Sequence, residues 1–350
     1  MGVNTIQDAL VKVVNGEDLS QIEAGHVFQI IMSGGATPAQ IASLLTGLRM
    51  KGENISELTG AAEALRTKAL RLHVPNELQQ SIVDTCGTGG DGKGSYNIST
   101  TVAIVVAACG VPVAKHGNKA VSSRSGSANV LTELGVNIET DEKTTLAALE
   151  EAGICFMMAP RYHKAMRHVA PIRQELGLRT IFNLLGPLIN PSRPTRQLMG
   201  VFSQKWVEPI AQTLKELGTE RAWVVYGADG MDEITLTDKT FVAELKDGEV
   251  TTFTITPEQF GLERVEEKAL MGGDAAYNAR AFKELLFGKE GAYRDIVLLN
   301  SAAALIVGGV VETIEEGVIK AADAIDSGRA KETLASLVAI TNRFEDGDAA

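Results

Sequence analysis

Cysteine is scarce. The 350 residues hold three, Cys86, Cys109 and Cys155, far apart, in apolar surroundings and with no metal-ligand spacing between any pair. An odd count so dispersed excludes a disulfide framework and a cysteine-held metal. Buried, reduced thiols in a cytoplasmic protein are the expectation instead. Basic residues are also short, 33 against 44 acidic, for a formal charge of −11. That balance argues against nonspecific nucleic-acid binding, which needs many phosphate-neutralising cations. Long apolar runs are missing too. The longest, around residues 102–114, is broken by glycine and proline and is too short to span a bilayer. The opening MGVNTIQDAL has no basic region leading into an apolar one, so no membrane partner is expected. The common catalytic signatures fail as well: no nucleophile elbow, HExxH or CxxC occurs, and no solenoid repeat.

What is present is a globular composition. Hydrophobic residues make up 45% and charged ones 22% of a 37.2 kDa chain, enough for a large core split over two domains. The chain is organised around residues 82–118, IVDTCGTGGDGKGSYNISTTVAIVVAACGVPVAKHGN. A short β-branched run ends in Gly87, Gly89, Gly90, Gly92 and Gly94, then Asn97-Ile98-Ser99-Thr100 opens an apolar helix. A continuous apolar strand follows and ends in Lys115-His116-Gly117-Asn118. A strand feeding a glycine loop and a helix start is a recurring phosphate cradle, with unpaired N–H groups and the positive end of the helix dipole. The spacing fits neither a P-loop nor a dinucleotide fingerprint followed by a ribose-binding acid. Asn97, Ser99 and Thr100 are placed to cap the helix or to meet a phosphate or metal. The Lys115–Asn118 side chains are expected to emerge at the same sheet edge as the glycine loop.

Residues 1–73 predict only helices, with Thr37-Pro38-Ala39-Gln40 as one start signal and Ser56 as another. After residue 74 strands and helices alternate. Strands are expected at 136–138, 154–158, 199–202 and 222–226, and a hairpin over 241–255 turns at Asp247-Gly248. Ser122, Ser123, Ser125 and Ser127 surround Arg124 ahead of a helix, a second candidate phosphate element. Residues 160–191 interrupt the pattern with Arg161, Arg167, Arg173 and Arg179. Pro171 starts a helix there, and Gly186-Pro187 marks a turn. Most of these arginines are expected to be solvated or salt-bridged, with at least one facing an anionic substrate. Asp232 and Glu233, in a loop leaving a strand end, are placed to converge on a hard cation such as Mg²⁺. Asp274 is expected to cap a helix.

The segments DTCGTGGDG…YNIST, KHGN…SS…SGSANVLTELG, APRYHKAMRHVAPIRQELGLRTIFNLLGPLINP and GADGMDEIT together resemble the anthranilate phosphoribosyltransferase family, in order and spacing over nearly the whole chain. The resemblance implies an α/β fold with a small all-helical N-terminal domain and a larger domain with a central, mostly parallel sheet. The helical domain would be residues 1–73 completed by helices within about 161–187, and the α/β domain 74–160 and 188–345. It implies transfer of phosphoribose from phosphoribosyl pyrophosphate to the amine of anthranilate, in tryptophan biosynthesis, and a homodimer formed through the helical domain. Carried onto this chain, Gly87, Gly90, Asp91, Ser95, Asn97, Ile98, Ser99 and Thr100 lie along phosphoribosyl pyrophosphate. So do Lys115, His116, Gly117, Asn118, Lys119, Ala120, Val121, Ser122, Ser123 and Ser127. Gly87, Asn118 and Arg173 meet anthranilate, while Ser99, Asp232 and Glu233 hold Mg²⁺. No covalent nucleophile or general base is implied. A pyrimidine-nucleoside phosphorylase and a noncatalytic nucleic-acid-binding relative are the rival readings. The paired GTGGDG and FNLLGPLINP and the acidic charge weigh against them.

Overall fold

The structure is a computed structural model that describes residues 3–119 and 124–343. Four helices open the chain, Ile6–Val14, Gln21–Met32, Pro38–Lys51 and Ile55–Lys68. Each starts with a capping box: Thr5 with Asp8, Ser20 with Glu23, Thr37 with Gln40, and Asn54 with Glu57. The fourth corrects the expected start at Ser56. Asn54 Oδ1 accepts the Glu57 N–H at 2.9 Å and the Glu57 carboxylate returns to Asn54 N–H at 3.1 Å, so the reciprocal pair sets the boundary two residues earlier.

Among the described residues seven strands form one sheet: β1 Val83–Gly87, β2 Val113–Gly117, β3 Ile154–Met158, β4 Arg196–Gly200, β5 Arg221–Gly227, β6 Thr240–Lys246 and β7 Glu249–Ile255. Their order is β3-β2-β1-β4-β5-β6-β7, with β1 to β5 parallel and β6 and β7 antiparallel. Asp247 and Gly248 have φ of 53° and 76°, the left-handed pair that a two-residue hairpin requires. Residues 136–138 are not a strand. Val136 N–H bonds back to Leu131 at 3.0 Å and Asn137 N–H goes to the Thr341 hydroxyl at 3.2 Å, so the expected ladder donors are already used. Nor is Gly186-Pro187 a turn; both lie inside the helix Phe182–Leu188. That helix is so short that Pro187 falls in its last turn and forfeits little hydrogen bonding.

Strand alternation divides the core. Leu198, Trp223, Val225 and Val242 face one cluster, with the helices Ile98–Ala108 and Ala292–Gly308. Their neighbours Met199, Ala222, Val224 and Ala243 face the other. This second cluster runs on through Val169, Ile172, Phe182 and Leu185 into the N-terminal helices. No helix among the described residues is long and apolar enough to cross a membrane. Chain order reverses between β1 and β4, and in an open α/β sheet that switch point opens a crevice at the carboxyl ends of the strands.

Candidate active site

Gly87 and Gly200 are register partners at the ends of β1 and β4, and the loop leaving β5 lies across both. A Cβ on Gly87 would run into the Asp232 carboxylate, and one on Gly200 into the Asp232 backbone carbonyl. Bare backbone at both strand ends is therefore what lets the acidic loop settle into the crevice. There it is laced to the glycine loop: Gly89 N–H donates to Asp232 Oδ2 at 2.7 Å, and Ser99 N–H donates to Glu233 Oε1 at 3.1 Å.

The acidic loop is braced from behind. Asp229 accepts hydrogen bonds from the hydroxyls of Thr235 at 2.7 Å and Thr237 at 2.5 Å. Asn300, fully buried, grips both backbone groups of Ile234, at 2.9 Å and 2.8 Å. The first brace lies within the loop itself, whereas the second is not signalled by local sequence, since Asn300 lies on the helix Ala292–Gly308.

Burial pushes the Asp232 carboxyl up to about 7, and Asp91 beside it adds to the effect. Burial, with Asp232 as neighbour, drives Glu233 well above the carboxylate range. Two acids held together out of water are starved of positive charge. Lys115 is the nearby cation, but it departs from expectation: its side chain is buried rather than emerging at the sheet edge. Its ammonium donates to the Thr85 carbonyl and, at 3.3 Å, to the Ser99 hydroxyl. Burial lowers its pKa, opposed by Asp84 and by both crevice acids. The reason is position: Lys115 is the central residue of β2, two short of its end.

The remaining predicted residues of the two loops lie at the end of β2 or on the segments that follow β1 and β2. Ile98 and Thr100 are buried, so the Ile98 side chain belongs to the core. Asn97 does not cap its helix; its amide instead bonds Ser125 and Asn278. Asp91 accepts the Lys93 N–H at 3.1 Å, and Ser95 forms a single antiparallel bridge with Met271. On the second loop, Asn118 Oδ1 accepts the Lys119 N–H at 2.8 Å and its carbonyl takes the Ser127 hydroxyl at 3.3 Å. Gly117 packs against Ser127 and Phe156. Ala120, Val121, Ser122 and Ser123 lie outside the described residues. His116 tilts against His163 with ring centroids 5.0 Å apart. Burial pushes His116 down to about 3 and His163 to about 4, leaving both neutral with an enclosed, unpaired Nε2. His163 was not among the expected site residues, although it lies in the basic segment two positions after Arg161 and within the family-like stretch APRYHKAM.

The basic segment follows expectation in that Arg161, Arg167 and Arg179 are exposed to solvent. Among the described residues none of Arg161, Arg167, Arg173 and Arg179 forms a salt bridge. Arg179 donates to the Gly90 carbonyl and stacks 4.7 Å from the Phe202 ring centre. Arg173 rises from the helix Ala170–Leu176, which Pro171 starts, and sits 5.3 Å from the Phe182 ring centre. A largely buried guanidinium with no carboxylate partner is costly unless an anion arrives. Among the described residues no three acidic, histidine or cysteine side chains are grouped as a ready-made cation site. The donors at hand, two carboxylates and a hydroxyl, are hard oxygens. That set suits Mg²⁺, which commonly takes one or two carboxylates and draws its other ligands from water and substrate phosphates.

The chain is similar to known proteins along nearly its whole length. Residues 79–331 match the glycosyl transferase family a/b domain and residues 7–69 its helical bundle domain. Anthranilate phosphoribosyltransferase of Paramagnetospirillum magneticum is 56% identical over 97% of this chain and 96% of its own length. The enzyme of Azospirillum brasilense is 56% identical over 95% and 92%. The crystal structure of the Thermus thermophilus enzyme superposes with a TM-score of 0.90 at 42% identity, covering 96% of this chain and 99% of its own. The Saccharomyces cerevisiae enzyme, in complex with phosphoribosyl pyrophosphate and Mg, superposes with a TM-score of 0.88 at 28% identity, covering 97% and 98%. Matched by the family over both of its domains and by relatives of this identity over nearly its full length, the chain belongs to the anthranilate phosphoribosyltransferase family.

Proposed function

We propose that this chain transfers 5-phosphoribose from phosphoribosyl pyrophosphate to the amine of anthranilate, releasing pyrophosphate, as a Mg²⁺-dependent cytoplasmic homodimer of tryptophan biosynthesis. The observation that carries this reading is the lacing of Asp232 and Glu233 to Gly89 and Ser99, which joins acid loop and glycine loop in one crevice. The helical unit 1–73 with about 161–187 contributes Arg173, and the α/β unit 74–160 with 188–345 contributes the rest. Exposed Val11, Val14, Ile22 and Met50 on the N-terminal helices support association through that unit.

Asp232, Glu233 and Ser99 would hold the metal. When bound, Mg²⁺ supplies neutralisation of the charge that collects on the departing pyrophosphate. The protein's own share is positioning and charge. The amides of Gly90 and Asp91 stabilise the same leaving group, and Lys115, buried and bonded to the Thr85 carbonyl and the Ser99 hydroxyl, adds its charge without touching the phosphates, in a site where hydrogen bonds are strong because water is scarce. The Arg173 guanidinium takes the carboxylate of anthranilate, with Asn118 and Gly87 on its flank, and so aims the amine at the anomeric carbon. An aryl amine is neutral at physiological pH and needs no strong base to become nucleophilic. His116, a base of about 3, is unfit for that task in any case.

The test is loss of anthranilate fluorescence on incubation with phosphoribosyl pyrophosphate and Mg²⁺. Loss only when both are present is the expected result; no loss, or loss without phosphoribosyl pyrophosphate, overturns the assignment. Within that assay Arg173→Ala is expected to raise the anthranilate KM by about tenfold or more, as removal of a charge-assisted bond implies. An unchanged KM would take Arg173 off the carboxylate.

A further inference from the structure

The helix Ala275–Leu286 starts as its sequence predicts, with Asp274 accepting the Tyr277 N–H at 2.8 Å. One turn further on it does something no local motif announces. Asn278, 1% exposed, reaches out of the helix to two loops. Its Oδ1 accepts the Gly273 N–H at 2.8 Å. A backbone N–H can only donate, so this contact decides which end of the amide is oxygen. The other end, Nδ2, then faces Asn97 Oδ1 at 2.9 Å.

Asn97 is thereby oriented in turn. Its oxygen takes hydrogens from Asn278 and from the Ser125 hydroxyl at 3.3 Å, and its Nδ2 donates to the Ser125 carbonyl at 3.2 Å. Backbone contacts tighten the same junction. Gly272 N–H bonds to Gly94 at 2.9 Å and Tyr96 N–H to Leu270 at 3.2 Å. A Cβ on Gly272 would lie 2.6 Å from the Ser95 carbonyl and 2.8 Å from Asn278 Oδ1, so nothing larger than glycine fits there. Two amides in series thus join the glycine loop, the serine loop before the helix Ser127–Glu133, and the 270–273 segment.

We propose that Asn278 is a positioning residue for phosphoribosyl pyrophosphate. By dictating the amide orientation of Asn97 it sets the register of the glycine loop against the serine loop, the two elements that enclose the phosphates. The inference rests on the reading of Asn97 and both loops as the phosphoribosyl pyrophosphate site.

Asn278→Asp tests it. The carboxylate is nearly isosteric and still accepts from Gly273, but it presents an acceptor to Asn97. Asn97 must then rotate and turn its oxygen toward the Ser125 carbonyl, which forces the loops apart. The expected result is a phosphoribosyl pyrophosphate KM raised about tenfold or more, with the anthranilate KM at saturating phosphoribosyl pyrophosphate changed by less than about twofold. Asn278→Ala removes the donor without inserting an acceptor, so its KM rises less. A role in packing alone instead lowers the melting temperature of Asn278→Ala more than that of Asn278→Asp, because alanine leaves the larger void, and it leaves both KM values near wild type in the folded fraction. Asn97→Ala serves as reference. If it raises the phosphoribosyl pyrophosphate KM while both Asn278 variants do not, the relay is refuted and the site reading stands. If Asn97→Ala also leaves that KM unchanged, the site reading itself fails. Should Asn278→Asp not fold, an unchanged KM in Asn278→Ala alone overturns the proposal.

Discussion

Gly200→Ala is expected to lower kcat/KM for phosphoribosyl pyrophosphate about a hundredfold in a protein that still folds, the penalty typical of a reacting group displaced by about an ångström. The new methyl would occupy the place of the Asp232 carbonyl. Backbone cannot swing aside as a long side chain can, so the whole 229–234 segment has to lift. Lifting it withdraws Asp232 from Gly89 and Glu233 from Ser99 together. The cost to stability should be about 3 kcal/mol or somewhat more, the upper end for overpacked sites, because Met231 and Ile234 of the same loop are buried in the core. A melting curve beside steady-state kinetics separates the two effects. A folded Gly200→Ala protein with wild-type kcat/KM would show that the acid loop does not need its seat on β4.

The second large effect concerns the acid pair. Asp232→Asn combined with Glu233→Gln should abolish Mg²⁺-dependent turnover by about a hundredfold or more, yet raise the melting temperature of the metal-free protein. The two outcomes share one cause: these carboxylates are buried beside each other and beside Asp91 with too little positive charge. The pH dependence follows with a definite sign. Asp232 titrates near 7 in the folded protein, above its unfolded value, so the folded state binds the extra proton in between. Its contribution is fully present at low pH and is lost as pH rises through about 7. The metal-free wild type should therefore lose more melting temperature between about pH 5 and about pH 8 than Asp232→Asn does. Equal slopes would mean that Asp232 is ionised throughout.

Much of this fold is legible along the chain because its causes are local. The Thr37-Pro38-Ala39-Gln40 box, the Asp247-Gly248 turn and the Asp274 cap each depend on residues within a few positions of one another. The glycine loop and the basic end of β2 are legible for the same reason. Errors arise where two local signals compete or where the partner is remote. Ser56 and Asn54 both offer a cap, and only the reciprocal reach of Glu57 chooses between them. The stretch 136–138 has strand composition, but its donors are claimed by Leu131 and by Thr341, some two hundred residues away. The site shows the same limit. Asp232 and Glu233 stand out as a paired acid, whereas their seat on Gly87 and Gly200 depends on β1 and β4 lying side by side. Strand order also buries Lys115, and the braces from Asn278 and Asn300 exist only once the C-terminal helices have packed.

The central claim is that the acid pair and the phosphate loops serve one ligand, and calorimetric titration of phosphoribosyl pyrophosphate tests it most directly. Wild-type protein should bind it with Mg²⁺ present and at least about tenfold more weakly in chelator, and the Asp232→Asn, Glu233→Gln double variant should show the weak binding under both conditions. Tight binding by the double variant, or wild-type affinity indifferent to Mg²⁺, would place the carboxylates and the phosphates at separate sites and contradict the account.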